Sequence, residues 1–161
     1  MRLAFQPGTF QLEAGTKRLA RLYARAELLL CSRAAAEAIT GASAGDPGHV
    51  LDALLKLGAS NVVVFDGSGG AVAANDSERL QIESFADSDP PLDLTGTGDA
   101  FASTMVAALI RGLPLREALR WPPVNAVAAS RQFGAQSGLL RHDDLVNRLD
   151  AAQPEFTARD L

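Results

Sequence analysis

The chain has one cysteine, Cys31, and so cannot form a disulfide within itself. That excludes a disulfide-stapled secreted scaffold and makes a reducing cytoplasm the expected compartment. Cys31 stands in an apolar run, where a small buried hydrophobe is the expected role rather than a nucleophile. Excess positive charge is also missing: 15 Lys and Arg face 19 Asp and Glu, for a net charge of −4 and a pI near 5.1. Nucleic acid and anionic membrane are therefore poor candidates for the main partner. No apolar run approaches the roughly 20 residues of a membrane span, and the N-terminus has no signal-peptide pattern. Aromatics make up only 6% of the residues, whereas alanine is abundant, which suits close packing of helices on a sheet. No internal repeat is visible. At 161 residues the chain is one domain or part of a larger one.

What is present is an alternation of strand and helix patterns. Residues 2–5 have a short strand pattern, and Gln6-Pro7-Gly8-Thr9 has turn composition. Apolar residues at helical spacing predict a helix over 10–26. The unbroken apolar run 27–31 predicts a strand buried on both faces, hence a parallel sheet. Ser32 is placed to cap an Ala-rich helix over 33–40, which Gly41 stops. A loop over 41–48 and a helix over 49–57 follow. Residues 61–65 are the clearest strand, 66–70 a turn, 71–74 a returning strand and 79–85 a half-buried strand. An acidic, proline-containing loop fills 86–92. Helices are expected over 101–111, from Leu115 to about Trp121, over 124–133 and over 142–149, with Pro122 and Pro123 kinking or breaking the chain. Residues 134–138 form a loop and 151–161 a loose tail. The order implies an α/β fold, a partial Rossmann-like parallel sheet with helices on both faces.

One stretch carries chemistry: Asp93-Leu94-Thr95-Gly96-Thr97-Gly98-Asp99-Ala100-Phe101. Its glycines permit a tight turn and close approach to a ligand. The main-chain N–H groups of Gly96, Thr97 and Gly98 would point off a helix N-terminus, where donors lack partners and the dipole favours an anion. The Asp99 carboxylate lies in the same first turn, placed to take a proton from a hydroxyl. Amides that cradle phosphate beside such a base are what phosphoryl transfer to an alcohol requires. The same residues would also make an ordinary loop with an acidic first helical turn.

This stretch resembles the D-T-T-G-A-G-D-A-F signature of the PfkB, or ribokinase-like, carbohydrate kinase family. Three more segments match in order. Gln6-Pro7-Gly8-Thr9 resembles its N-P-G segment. Val62-Val63-Val64-Phe65-Asp66-Gly67-Ser68-Gly69-Gly70-Ala71 resembles V-V-V-T-x-G-x-x-G-A. Asn125, followed by Gly134-Ala135-Gln136-Ser137-Gly138-Leu139, resembles the closing N…G-A-x-x-G.

The resemblance implies a ribokinase-like fold and ATP-dependent phosphorylation of a hydroxyl on a sugar, nucleoside or similar small molecule, with Mg²⁺ accompanying ATP. Asp99 matches the catalytic base, and Gly96, Thr97 and Gly98 match the anion hole. Asp93 and Thr95 match positions near a monovalent-cation loop, such as one for K⁺. Gly67 and Gly70 match the turn beside the nucleotide, and Asn125 and Gly134 the nucleotide-binding segment around adenine. Two departures stand out. The family's N-x-x-E motif is replaced by Ser32 and Ala35, which removes a carboxylate that helps hold magnesium. Phe65 occupies a position where Thr or Ser is common. The resemblance also equates residues 1–150 with the C-terminal, nucleotide-side half of the kinase domain. The expected consequences are a missing N-terminal half that grips the sugar, a bare sheet edge near residues 2–5, and association with that half or as a homo-oligomer. The alternative is a truncated or degenerate module that binds nucleotide without catalysis. A dinucleotide-binding Rossmann reading fails, because residues 6–9 hold a single glycine after the first strand.

Overall fold

A computed structural model describes residues 1–42, 45–67, 70–86 and 89–161. Parts of three expected loops and turns, at 43–44, 68–69 and 87–88, lie outside the described residues. The chain divides into two compact units: residues 1–66, 71–81 and 160–161, and residues 67–70 and 82–159.

The first unit is built on a six-stranded mixed sheet with the order β1 (Ala4–Phe5), β2 (Leu28–Ser32), β3 (Asn61–Asp66), β4 (Gly70–Ala74), β5 (Arg79–Ile82) and β6 (Arg159–Asp160). β1, β2 and β3 are parallel, with Ala4 opposite Leu28 and Leu28 opposite Asn61. The connection from β3 to β4 is too short for a parallel crossover, so this pair turns back on itself. β2 is buried on both faces, as its unbroken apolar run predicts. Leu29 and Cys31 face one layer while Leu28 and Leu30 are buried on the other side.

Leu29 and Cys31 join Val62 and Val64 in a core with Tyr23, Ala35, Ala36, Val50, Leu51 and Leu54. These last six come from α2 (Ala20–Arg25), α3 (Arg33–Thr40) and α4 (Pro47–Leu55). Full burial of a leucine such as Leu29, Leu51 or Leu54 contributes about 1.5–3 kcal/mol. The expected single helix over 10–26 is two helices. α1 (Thr9–Ala14) ends at Gly15, whose φ of 79° only glycine adopts freely, and α2 starts six residues after α1 ends. α3 begins where expected, with Ser32 Oγ accepting the Ala35 N–H at 3.2 Å, and ends on the left-handed Gly41.

The second unit holds α5 (Thr97–Ile110), α6 (Leu115–Ala118), α7 (Trp121–Ala129) and α8 (His142–Asp150). α5 packs on α7, and α7 on α8. Pro122 and Pro123 do not break the chain. They occupy the first turn of α7, where an absent N–H costs nothing, and both are buried. Val124, Leu145 and Leu149 form a small core with Phe85, Trp121, Leu140 and Phe156.

Residues 151–161, expected as a loose tail, are tied down. Arg120 Nε donates to Phe156 O at 3.1 Å and Arg116 Nη1 to Ala158 O at 3.1 Å. The Phe156 ring meets Phe85 edge-on, with centroids 5.1 Å apart. Beyond them β6 joins the sheet beside β5, and Leu161 N–H donates to Arg79 O at 3.0 Å. Among the described residues, no helix is long and apolar enough to cross a membrane.

Candidate functional site

The glycine-rich stretch enters α5 through a turn at Thr95–Gly96. Gly96 is the N-cap of α5 in the left-handed region, with φ 80° and ψ −2°. A β-carbon there would lie 2.7 Å from the Cα, the Cβ and the carbonyl oxygen of Ala135. Glycine is therefore required at position 96 twice, by its own torsions and by its neighbour.

The first turn of α5 separates the expected donors. Thr97 turns inward: its N–H donates to Leu94 O at 3.2 Å and its hydroxyl donates to the same oxygen at 2.9 Å. The N–H groups of Gly96, Gly98 and Asp99 have no acceptor among the described residues. The open donors thus include the amide of Asp99, which the sequence reading omits, while that of Thr97 is already used. The Asp99 side chain is exposed and has no hydrogen-bond or ion-pair partner among the described residues. Free amides and a free carboxylate therefore share one helical turn. The turn can accept an anion, and the carboxylate can accept a proton.

Asp93 is engaged on both oxygens. Oδ1 accepts the Thr95 N–H at 2.9 Å, a local turn, and Oδ2 accepts the Gly134 N–H at 2.8 Å across 41 residues. The Gly134 N–H, followed by the hydroxyl and N–H of Thr95, holds the Asp93 carboxyl below the usual carboxylate range. Leu92 N–H and Asp93 N–H both reach Ser130 O, at 2.8 and 3.2 Å, and Arg131 Nη1 donates to Pro90 O at 2.6 Å. Residues 90–96 are thereby laid against residues 130–135.

Asn125 is buried in α7, and both ends of its amide are bound. Nδ2 donates to Thr104 Oγ1 at 2.7 Å, and Oδ1 accepts the Leu140 N–H at 2.9 Å. Thr104 in turn donates to Ala100 O at 2.6 Å. This chain links α5, α7 and the segment after the 134–138 loop. Gly138 lies against α7, where a β-carbon would sit 2.8 Å from Ala129 Cα. Gly67 is exposed and a β-carbon on it would meet none of the described residues, whereas Gly70 is buried with φ 82° and has backbone of residues 82–83 where a β-carbon would go.

The donor set accommodates a phosphate better than a metal. Among the described residues, no three His, Cys, Asp or Glu side chains gather into a cation site. Ala35 offers no ligand and is part of a buried hydrophobic core, and Ser32 Oγ is occupied in capping α3. The described residues at these two positions therefore offer no carboxylate for a Mg²⁺ ion, which rests mostly on substrate phosphates and water.

A glycine-rich turn opens a helix beside an exposed carboxylate on an α/β fold, an arrangement found in a class of proteins with anion sites at helix N-termini. Comparison with known proteins narrows the class. The pfkB family of carbohydrate kinases matches residues 9–141. An ATP-dependent 6-phosphofructokinase from Thermoanaerobacterium thermosaccharolyticum is 33% identical over 136 residues, which are 84% of this chain and 41% of that protein. A ribokinase from Thermotoga maritima superposes with a TM-score of 0.78 at 22% identity, over 92% of this chain and 49% of that one. An E. coli protein assigned as Ribokinase II, solved with ATP and Mg²⁺, gives a TM-score of 0.79 at 19% identity, over 93% and 49%. These two structures bear on the fold, which is ribokinase-like. The chain belongs to the pfkB family of carbohydrate kinases. It spans about two fifths of the length of the curated relative and about half that of the solved structures.

Proposed function

We propose that the chain carries the nucleotide-phosphate end of an ATP-dependent kinase acting on a hydroxyl of a sugar or nucleoside. The observation that carries this reading is the first turn of α5, where the unpartnered amides of Gly98 and Asp99 adjoin the free Asp99 carboxylate. The amides would stabilise charge on the transferring phosphoryl group. Asp99 would accept the acceptor's hydroxyl proton as the new O–P bond forms and the bond to the β-phosphate oxygen breaks, releasing ADP. Gly96 shapes the turn, and Gly67, Gly70, Asn125 and Gly134 belong to the surrounding nucleotide-binding segments. Mg²⁺, when carried by ATP, would neutralise phosphate charge. Residues 1–150 form the nucleotide-side half of the kinase domain in this reading, and the acceptor-gripping residues lie outside the sequence. A cytoplasmic location belongs to the same proposal.

A second reading, nucleotide binding without transfer, is favoured by one observation, the buried Ala35 where a carboxylate is expected. The test is transfer from radiolabelled ATP to a panel of hexoses, pentoses, fructose 6-phosphate and nucleosides, with wild type and Asp99→Asn compared. Transfer that falls by roughly 10²–10⁴-fold in the variant, with ATP affinity kept, supports the kinase reading. Binding without transfer in wild type favours the second reading. Equal turnover by both proteins removes Asp99 from the mechanism.

A further inference from the structure

We propose that Asp93 is a positioning residue: its carboxylate fastens the turn that precedes the anion-binding amides to the loop starting at Gly134. It thereby takes over with two backbone hydrogen bonds the position that the family resemblance gives to a monovalent cation. The proposal rests on the reading of the α5 turn as a phosphate site.

Each oxygen of Asp93 accepts one N–H, Oδ1 from Thr95 and Oδ2 from Gly134. The Thr95 bond shapes the turn immediately before Gly96. The Gly134 bond reaches a residue 41 positions away, itself left-handed with φ 91°. The one carboxylate therefore fixes the approach to the site and attaches it to a second loop. Packing on either side shows that the attachment matters for position. Ala135, next to Gly134, abuts Gly96 so closely that no β-carbon fits between them. If the Asp93–Gly134 bond were lost, Ala135 would be free to shift against Gly96. The open amides at Gly96, Gly98 and Asp99 would then lose their fixed direction.

A carboxylate that already receives two N–H groups has its charge solvated by the protein. A cation between the loops would have to compete with those donors.

The experiment uses backbone amide exchange by NMR and ADP titration, on wild type, Asp93→Ala and Asp93→Asn, in K⁺ and in tetramethylammonium buffers. Slow exchange at Gly134 in wild type is expected to become fast in Asp93→Ala, while Leu140, held by Asn125, is unchanged. A merely structural role would loosen both amides together. Asp93→Asn keeps one acceptor and should fall between the two; it is read alone if the alanine variant does not fold. ADP affinity should fall by about tenfold in Asp93→Ala, the loss of roughly one charge-assisted hydrogen bond, and be insensitive to the cation in wild type. Gly134 exchange that is equal in wild type and variants overturns the proposal. So does ADP affinity or Gly134 exchange in wild type that responds to K⁺ and not to tetramethylammonium. If wild type binds no ADP in either buffer, the phosphate-site reading fails, while the Gly134 exchange still decides whether Asp93 ties the loops.

Discussion

Ala135 stands where the β-carbon of any residue but glycine at position 96 would have to go, with its Cα, Cβ and carbonyl oxygen all 2.7 Å from that point. Two loops separated by α5, α6 and α7 in the sequence are thereby in backbone contact at the start of α5. Gly96→Ala must strain a left-handed residue, at roughly 1–2 kcal/mol, and displace Ala135 as well. We expect an unfolding free energy lower by about 2 kcal/mol or more in urea titration. Nucleotide binding should be lost beyond what that destabilisation explains. Adding Ala135→Gly should not restore it, because Ala135 Cα and O remain in the way.

Asn125→Ala should destabilise by about 1–3 kcal/mol, because it strands the half-buried Leu140 N–H and leaves the buried Thr104 Oγ1 without its donor. Asn125→Ala and Thr104→Ala share a partner, so their effects should not add. A double-mutant cycle in urea should return a coupling of about 0.5–3 kcal/mol. Additive effects would show that the two side chains do not act together.

The positions of the missing N-x-x-E motif should respond differently to restoration. Ser32→Asn keeps an N-cap acceptor and should leave stability within about 0.5 kcal/mol, whereas Ser32→Ala should cost about 1 kcal/mol. Ala35→Glu would force a carboxylate into a core of Leu51, Leu54 and Val64, where an unpaired charge costs several kcal/mol. Thermal unfolding of the three variants checks this order. A stable Ala35→Glu would mean that this turn of α3 opens to solvent more readily than its burial indicates.

Burial pushes the Cys31 thiol up to about 12. In the unfolded chain it titrates near the ordinary value of roughly 8.5. The folded pKa is the higher one, so the stability it contributes is full below roughly pH 8.5 and is lost as pH rises from there toward 12. At pH 8–9 the native thiol should react with a disulfide reagent far more slowly than the thiol in urea. Cys31→Val should remove this alkaline component of the pH–stability curve. Fast native labelling at these pH values would show that β2 opens locally.

The strands β2 and β3 were legible because the chain writes burial directly as unbroken apolar runs, Leu28 to Cys31 and Val62 to Phe65. Ser32 and Gly41 were legible as the ends of α3, since capping is local chemistry. The break at Gly15 was not, because apolar spacing continues through it at helical period. Pro122 and Pro123 misled because proline signals either a break or a first turn, and only packing selects between them. The placement of Gly98 and Asp99 in the first turn of α5 was legible in the sequence. The inward turn of Thr97 and the partners of Asp93 and Asn125 were not. The bonds of Asp93 to Gly134 and of Asn125 to Thr104 and Leu140 join residues 15 to 41 positions apart, and nothing in the local sequence marks them.

β6 has a consequence for the order in which the molecule can be assembled. It lies beside β5, yet almost the whole second unit, residues 82–159, is synthesised between them. As the chain leaves the ribosome, β1 to β5 can pair in sequence, but the outer edge of β5 must wait unpaired until residues 159–160 emerge. Throughout that interval the backbone donors and acceptors of residues 79–82 are available to any passing strand, which exposes this edge to misassembly during synthesis.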